Sequence, residues 1–164
     1  MNLKEKVVIV TGAGRGLGKA ISLELAKEGT RLILIARTKT ELESVAGLAK
    51  ALGAKTLVIP ADLRKPEEIT RAVEQTLEHF GTIDVLINNA GFSPQLRPVV
   101  ETRLEDWEHV IELNARAPFL LSKACLPTML EKKSGHIINI VTAAVELPFA
   151  TISAYRASKA ALLA

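Results

Sequence analysis

Near one end of this 164-residue chain, Tyr155 and Lys159 stand four apart in the run Tyr155-Arg156-Ala157-Ser158-Lys159. On a helix this spacing stacks the two side chains on one face, with roughly 6 Å between their Cβ atoms. An ammonium beside a phenol favours the phenolate and lowers the tyrosine pKa. Such a pair can pass a proton to and from a carbonyl or alcohol oxygen near neutral pH. The same spacing also arises by accident on solvated helices, so the rest of the chain has to decide between the two.

The second candidate is the stretch Val7 to Gly18, VVIVTGAGRGLG. Its run of β-branched apolar residues reads as a strand buried on both faces. A glycine-dense turn follows, then helical spacing from Lys19 to Lys27. Unpaired amides at a helix start, with no Cβ atoms in the way, favour an anion, and a nucleotide diphosphate is the expected guest. The glycines are not spaced G-x-G-x-x-G; they read T-G-x-x-x-G-x-G, with Thr11, Gly12, Gly16 and Gly18 at the set positions and Gly14, Arg15 and Leu17 among them. An acid at the end of the second strand would accept from a ribose 2′-hydroxyl and repel a 2′-phosphate. Here that position is Ala36, followed by Arg37 and Thr38. With Arg15 in the turn, two guanidinium groups and no carboxylate there favour a phosphate, so NADP(H) is expected. The plain alternative is two solvated surface arginines.

The elements that must hold these ends alternate along the chain. Arg31 to Ala36 is a second strand, and Thr40 to Leu52 a helix stopped by Gly53. Thr56 to Ile59 is a third strand. Pro66 opens a helix with Ile69, Ala72, Val73, Leu77 and Phe80 on its apolar face and Gly81 behind it. Val85 to Asn88 is a fourth strand and Gly91 to Pro98 a loop. Leu104 to Phe119 reads as a helix that continues to about Glu131, and His136 to Val141 is the fifth strand. Strands separated by helices predict an α/β fold with a doubly wound parallel sheet in a single domain. From Pro118 to Leu130 the helix is apolar nearly all round, more than one sheet face requires. Its cover is either a further segment of chain or another subunit, hence an expected homo-oligomer, dimer or tetramer.

With T-G-x-x-x-G-x-G at the first strand, Asn88-Asn89-Ala90-Gly91 after the fourth and Y-x-x-x-K after the fifth, the chain resembles the short-chain dehydrogenase/reductase superfamily. It is similar to the branch that includes 3-oxoacyl-carrier-protein reductases and hydroxysteroid dehydrogenases, over every residue present. The resemblance implies a Rossmann sheet in the order 3-2-1-4-5 and an NADP-dependent oxidoreductase acting on a small-molecule carbonyl or alcohol. It makes Tyr155 the general acid and base, and has Lys159 hold the nicotinamide ribose. It makes Asn114 the residue that ties a water to the lysine in a proton relay. Asp62, before Leu63, matches the acid that faces the adenine amino group; its alternative is to cap the following helix. Asn88 and Asn89 brace the turn beside the cofactor, and Ala90 and Gly91 let it pass closely. Counting back thirteen residues from Tyr155 to the family serine lands on Thr142. Threonine keeps the hydroxyl but adds a methyl and restricts χ1. Reduced activity or a reshaped pocket is expected, and a nucleotide-binding or scaffolding protein without turnover is the competing function.

Composition narrows the rest. The net charge is +3, and no basic run exceeds Lys132-Lys133, so no nucleic-acid footprint is expected. One cysteine, Cys125, excludes an internal disulfide and favours a reducing compartment. The start, MNLKEK and a short apolar run, is neither a signal peptide nor a membrane span, which makes the cytoplasm the expected location. His79, His109 and His136 lack ligand spacing, so no metal is expected. The resemblance also implies two further strands and a substrate lid beyond Ala164, so a fragment is expected, with its adenine-side pocket kept and its substrate site incomplete.

Overall fold

In a computed structural model, which describes residues 2–146 and 151–163, the first strand, β1 (Val7–Thr11), has no apolar atom left in water: Val7, Val8, Ile9 and Val10 are each 0 % exposed. Alternation along the strand sends them to opposite sides. Val7 and Ile9 join a core with α3 (Pro66–Phe80) and α5 (Ala117–Glu131). Val8 and Val10 join a second core with α1 (Gly16–Lys27) and α2 (Lys39–Ala51). Each such buried side chain contributes roughly 1.5–3 kcal/mol, so the run of four is a large share of what seats the sheet. The remaining strands are β2 (Arg31–Ala36), β3 (Lys55–Pro60), β4 (Val85–Asn88) and β5 (His136–Asn139). All pair in parallel in the order β3-β2-β1-β4-β5, the expected doubly wound sheet. Two short helices complete the described chain, α4 (Leu104–Ile111) and α6 (Ser153–Ala160).

The second helix and third strand shift by a single residue at each end, and three differences from the sequence expectation are larger. The first helix starts at Gly16 rather than Lys19, because its first turn is built from glycines whose low helix propensity hides it. The long helix is not continuous: a π-helical turn, Glu112–Arg116, separates α4 from α5. The fifth strand ends at Asn139 rather than Val141; the Ile140 carbonyl turns aside to accept from Lys159 Nζ at 2.7 Å. On α5, Leu121, Cys125 and Met129 are buried, whereas Phe119 and Leu130 are 64 % and 69 % exposed. Burial pushes the Cys125 thiol up to about 12, so it packs as a small hydrophobe. Among the described residues no helix is long and apolar enough to cross a membrane.

Candidate active site

At the carboxyl ends of the strands the sheet opens into a cleft of about 470 Å³. In such sheets ligands bind in this crevice. Thr11 and Asn89 hold its two sides together. The Thr11 hydroxyl donates to the Ile87 carbonyl at 3.1 Å and accepts from the main-chain N–H groups of Asn89 and Ala90 at 2.9 and 3.0 Å. Asn89 Nδ2 returns a bond to the Thr11 carbonyl at 2.8 Å. Gly12 (φ +65°) sits so close that a Cβ there would be 2.9 Å from Ala90 Cα. At Gly18 a Cβ would run into the Gly12 carbonyl oxygen. Gly16 (φ +55°) differs: a Cβ would meet nothing, because the space beside it is the cleft. A cradle with bare backbone at a helix start fits a diphosphate.

Thirteen of the residues expected to touch a cofactor line this one cleft: Gly12, Gly14, Arg15, Gly16, Leu17 and Gly18 from the glycine turn, Arg37 and Thr38 after β2, Asp62 and Leu63 after β3, and Asn89, Ala90 and Gly91 after β4. Tyr155 and Lys159 are not among its walls. Lys159 lies behind one of them. It is 4 % exposed, and burial pushes its pKa down. A Cβ on Gly91 would be 3.5 Å from Lys159 Nζ and 3.5 Å from Asn114 Oδ1.

Asn114 occupies the π-helical turn and is fully buried. Its Oδ1 accepts from the Phe92 main-chain N–H and its Nδ2 donates to the Phe92 carbonyl, both at 2.8 Å. Nδ2 also donates to Ser158 Oγ at 3.1 Å, and Ser158 Oγ donates to the Tyr155 carbonyl at 2.7 Å. The widened turn therefore joins the loop after β4 to α6. Ser158 was missing from the candidates; its place inside the Y-x-x-x-K run was the available signal.

Tyr155 borders a separate small recess with Arg97, Asp106 and Thr151. Thr142 starts the short turn Ala143–Val145, and its Oγ1 accepts from the Ala144 main-chain N–H at 3.2 Å. That leaves the hydroxyl proton free to donate.

Asp62 does not cap α3, whose preceding residue is Lys65. Its carboxylate instead takes the Arg64 guanidinium, with Nε at 3.0 Å from Oδ1. The Arg64 hydrogen bonds hold the carboxyl down at about 2, against an ordinary 3.8. A carboxylate depressed in this way adds stability that is fully present above pH 3.8 and is lost as the pH falls through about 2. In denaturant titrations the stability gap between wild type and Asp62→Asn should therefore shrink on acidification across that window. A gap independent of pH would show that the ion pair contributes nothing.

Sequence reasoning missed three polar walls of the cleft: Glu41, Arg64 and His109. Glu41 comes from the first turn of α2, and its Oε2 would be 2.9 Å from a Cβ on Gly14. The guanidinium groups of Arg15, Arg37 and Arg64 thus face the carboxylates of Glu41 and Asp62, leaving a positive balance. His109 stacks on Phe92 with ring centroids 4.5 Å apart and 14° between planes. Burial, then Arg64 and Arg37, push its pKa down. Among the described residues no group of His, Cys, Asp and Glu side chains could hold a metal ion.

A parallel five-stranded sheet with a glycine-lined anion cleft at its switch point defines a Rossmann-like nucleotide-binding fold. The chain belongs to the short chain dehydrogenase family, whose model matches residues 6–164. It is 35 % identical over 160 residues to an uncharacterized oxidoreductase of Staphylococcus aureus, covering 98 % of this chain and 68 % of that relative. It is 36 % identical over 162 residues to a 3-oxoacyl-[acyl-carrier-protein] reductase of Synechocystis, covering 98 % of this chain and 65 % of that one. Among solved structures, a metagenomic short-chain oxidoreductase in complex with NADP superposes with a TM-score of 0.95 at 37 % identity, over 99 % of this chain and 74 % of its own. An NAD+-bound xylitol dehydrogenase gives 0.95 at 30 % identity, over 99 % and 63 %. The chain thus spans about two thirds of the length of these relatives.

Proposed function

We propose that this chain is the NADP-binding Rossmann unit of an oxidoreductase that interconverts a carbonyl and a secondary alcohol. The observation that carries the reading is the meeting at Gly91, with the cleft on one side and, 3.5 Å from its Cβ position, Lys159 Nζ on the other. Arg15, Arg37 and Thr38 hold the 2′-phosphate. The bare turn Gly12 to Gly18 takes the diphosphate, Asp62 and Leu63 the adenine, and Asn89, Ala90 and Gly91 the central stretch. When bound, the nicotinamide supplies or takes up hydride. Tyr155 gives its proton to the substrate oxygen in reduction and takes it back in oxidation. Thr142 donates a hydrogen bond to the same oxygen, and Lys159 reaches the ribose hydroxyls past Gly91. Asn114, its amide committed to Phe92 and Ser158, keeps the relay in register from the widened turn. The exposed apolar side chains of α5 support a homo-oligomer, which sedimentation tests.

One relative structure holds NADP and another NAD+, so the choice rests on Arg15 and Arg37. Titration should show NADPH bound more tightly than NADH. Arg37→Ala should weaken NADPH by about 10–100-fold and leave NADH nearly unchanged, since the loss is a charge-assisted bond to a phosphate that NADH lacks. Equal losses for both dinucleotides would refute the assignment. A second reading, binding without turnover, is favoured by threonine standing at Thr142, where the resemblance expects serine, its methyl and restricted χ1 limiting how the hydroxyl can meet a substrate oxygen. NADPH oxidation with ketones and 3-oxoacyl thioesters separates the two.

A further inference from the structure

Ala36 ends β2 without an acid, and none follows before Glu41. The fold nevertheless brings that carboxylate to the same end of the cleft. Glu41 lies in the first turn of α2 and lines the cleft with Arg15, Arg37 and Thr38. Its spacing from Thr38 is that of a capping box, in which hydroxyl and carboxylate each take a main-chain N–H at the helix start. Among the described residues neither half is made: Thr38 makes no side-chain cap, and no main-chain N–H donates to Glu41. Lys39, the cation on the same turn, pairs with Glu43 at 3.6 Å instead. Glu41 runs against the glycine turn, where a Cβ on Gly14 would stand 2.9 Å from its Oε2 and 3.1 Å from its own Cβ. Half-buried there, it has no hydrogen-bond or ion-pair partner among the described residues, and neither do the guanidinium groups of Arg15 and Arg37. Two uncommitted cations and one uncommitted anion thus face one volume.

We propose that Glu41 is a specificity-determining residue whose carboxylate opposes the 2′-phosphate that Arg15 and Arg37 attract, so that the preference for NADPH is narrowed and NAD(H) keeps access to the cleft. The inference rests on the dinucleotide site proposed above. The two cofactors differ at this end by a phosphate against a hydroxyl. Attraction by arginine and repulsion by Glu41 both act on the phosphate, and selectivity is the difference between them. The diphosphate is common to both cofactors, so any effect of Glu41 on it cancels when their affinities are compared.

Calorimetric titration of NADPH and NADH into the full chain tests this on wild type, Glu41→Gln, Glu41→Ala and Glu41→Asp. The readout is the ratio of the two affinities. Glutamine keeps the shape and loses the charge, so the ratio should rise about fivefold or more in favour of NADPH. The rise should come from tighter NADPH, with NADH nearly unchanged. Alanine should give the same gain and carries the test if Glu41→Gln folds poorly. Aspartate keeps the charge and should hold the ratio within about threefold of wild type. Repulsion between charges is screened, so the gain should shrink as salt is raised from about 0.05 M to about 0.5 M. A ratio unmoved in Glu41→Gln and Glu41→Ala, a rise produced only by loss of NADH, an equal gain in Glu41→Asp, or a gain indifferent to salt would overturn the inference and leave the site standing. Wild type binding NADH more tightly than NADPH would overturn the phosphate assignment and the inference with it.

Discussion

Tyr155→Phe should lower the turnover of NADPH with a carbonyl substrate by about 10²–10⁴-fold, the range for a lost general acid, while leaving NADPH affinity almost unchanged. The two effects separate because Tyr155 borders the recess with Arg97, Asp106 and Thr151 and is not a wall of the nucleotide cleft. The phenyl ring keeps the contacts that seat α6, so the substitution removes the hydroxyl and little else. The Asn114–Ser158 bond and the bond from Ser158 to the Tyr155 carbonyl use no phenol atom and persist. Steady-state rates alongside calorimetric titration decide it. An unchanged rate would remove Tyr155 from the mechanism, and loss of NADPH binding in proportion to rate would make it a binding residue instead.

Gly18→Ala should abolish nucleotide binding, although local propensity favours it. Alanine in a helix is better than glycine by about 1 kcal/mol, and Gly18 lies inside α1. Its Cβ, however, would overlap the Gly12 carbonyl oxygen and stand 2.6 Å from Asn89 Nδ2. Neither can yield cheaply: Gly12 is main chain, and Asn89 holds the Thr11 carbonyl. Overpacking of this kind costs about 1–3 kcal/mol of stability, and relief would spread the glycine turn from the β4 loop. NADPH affinity should fall more than 100-fold, an order-of-magnitude figure at the upper end of losing charged hydrogen bonds. The control is Gly47→Ala, mid-helix in α2 on an exposed face with no atom within 4 Å of the new methyl. That change should raise stability by roughly 0.5–1 kcal/mol and leave binding alone. If both variants behave alike in thermal melts and titrations, the tight approach of Gly12 to Gly18 carries no weight.

The opposite signs expected at Gly18 and Gly47 show what the chain's order of residues determined by itself. The β-branched run of β1, the apolar stripes of α2 and α3, and the alternation of strand and helix set the parallel sheet, because backbone preference and burial periodicity are local. The glycine turn, Arg37 and Asp62 were legible for the same reason: each lies directly after a strand, where a doubly wound sheet places its ligand. Tertiary structure decided the rest. A continuous helical pattern from Leu104 to Glu131 hid the π-helical turn, since what accompanies the widening is Asn114 clasping Phe92, 22 positions away. Ser158 joins Asn114 across 44 positions, and Asn89 joins Thr11 across 78. Glu41 and His109 reach the cleft only because their helices pack beside it. Periodicity reports which face of an element is buried; it says nothing of which polar side chain meets which, because that depends on how the elements are brought together.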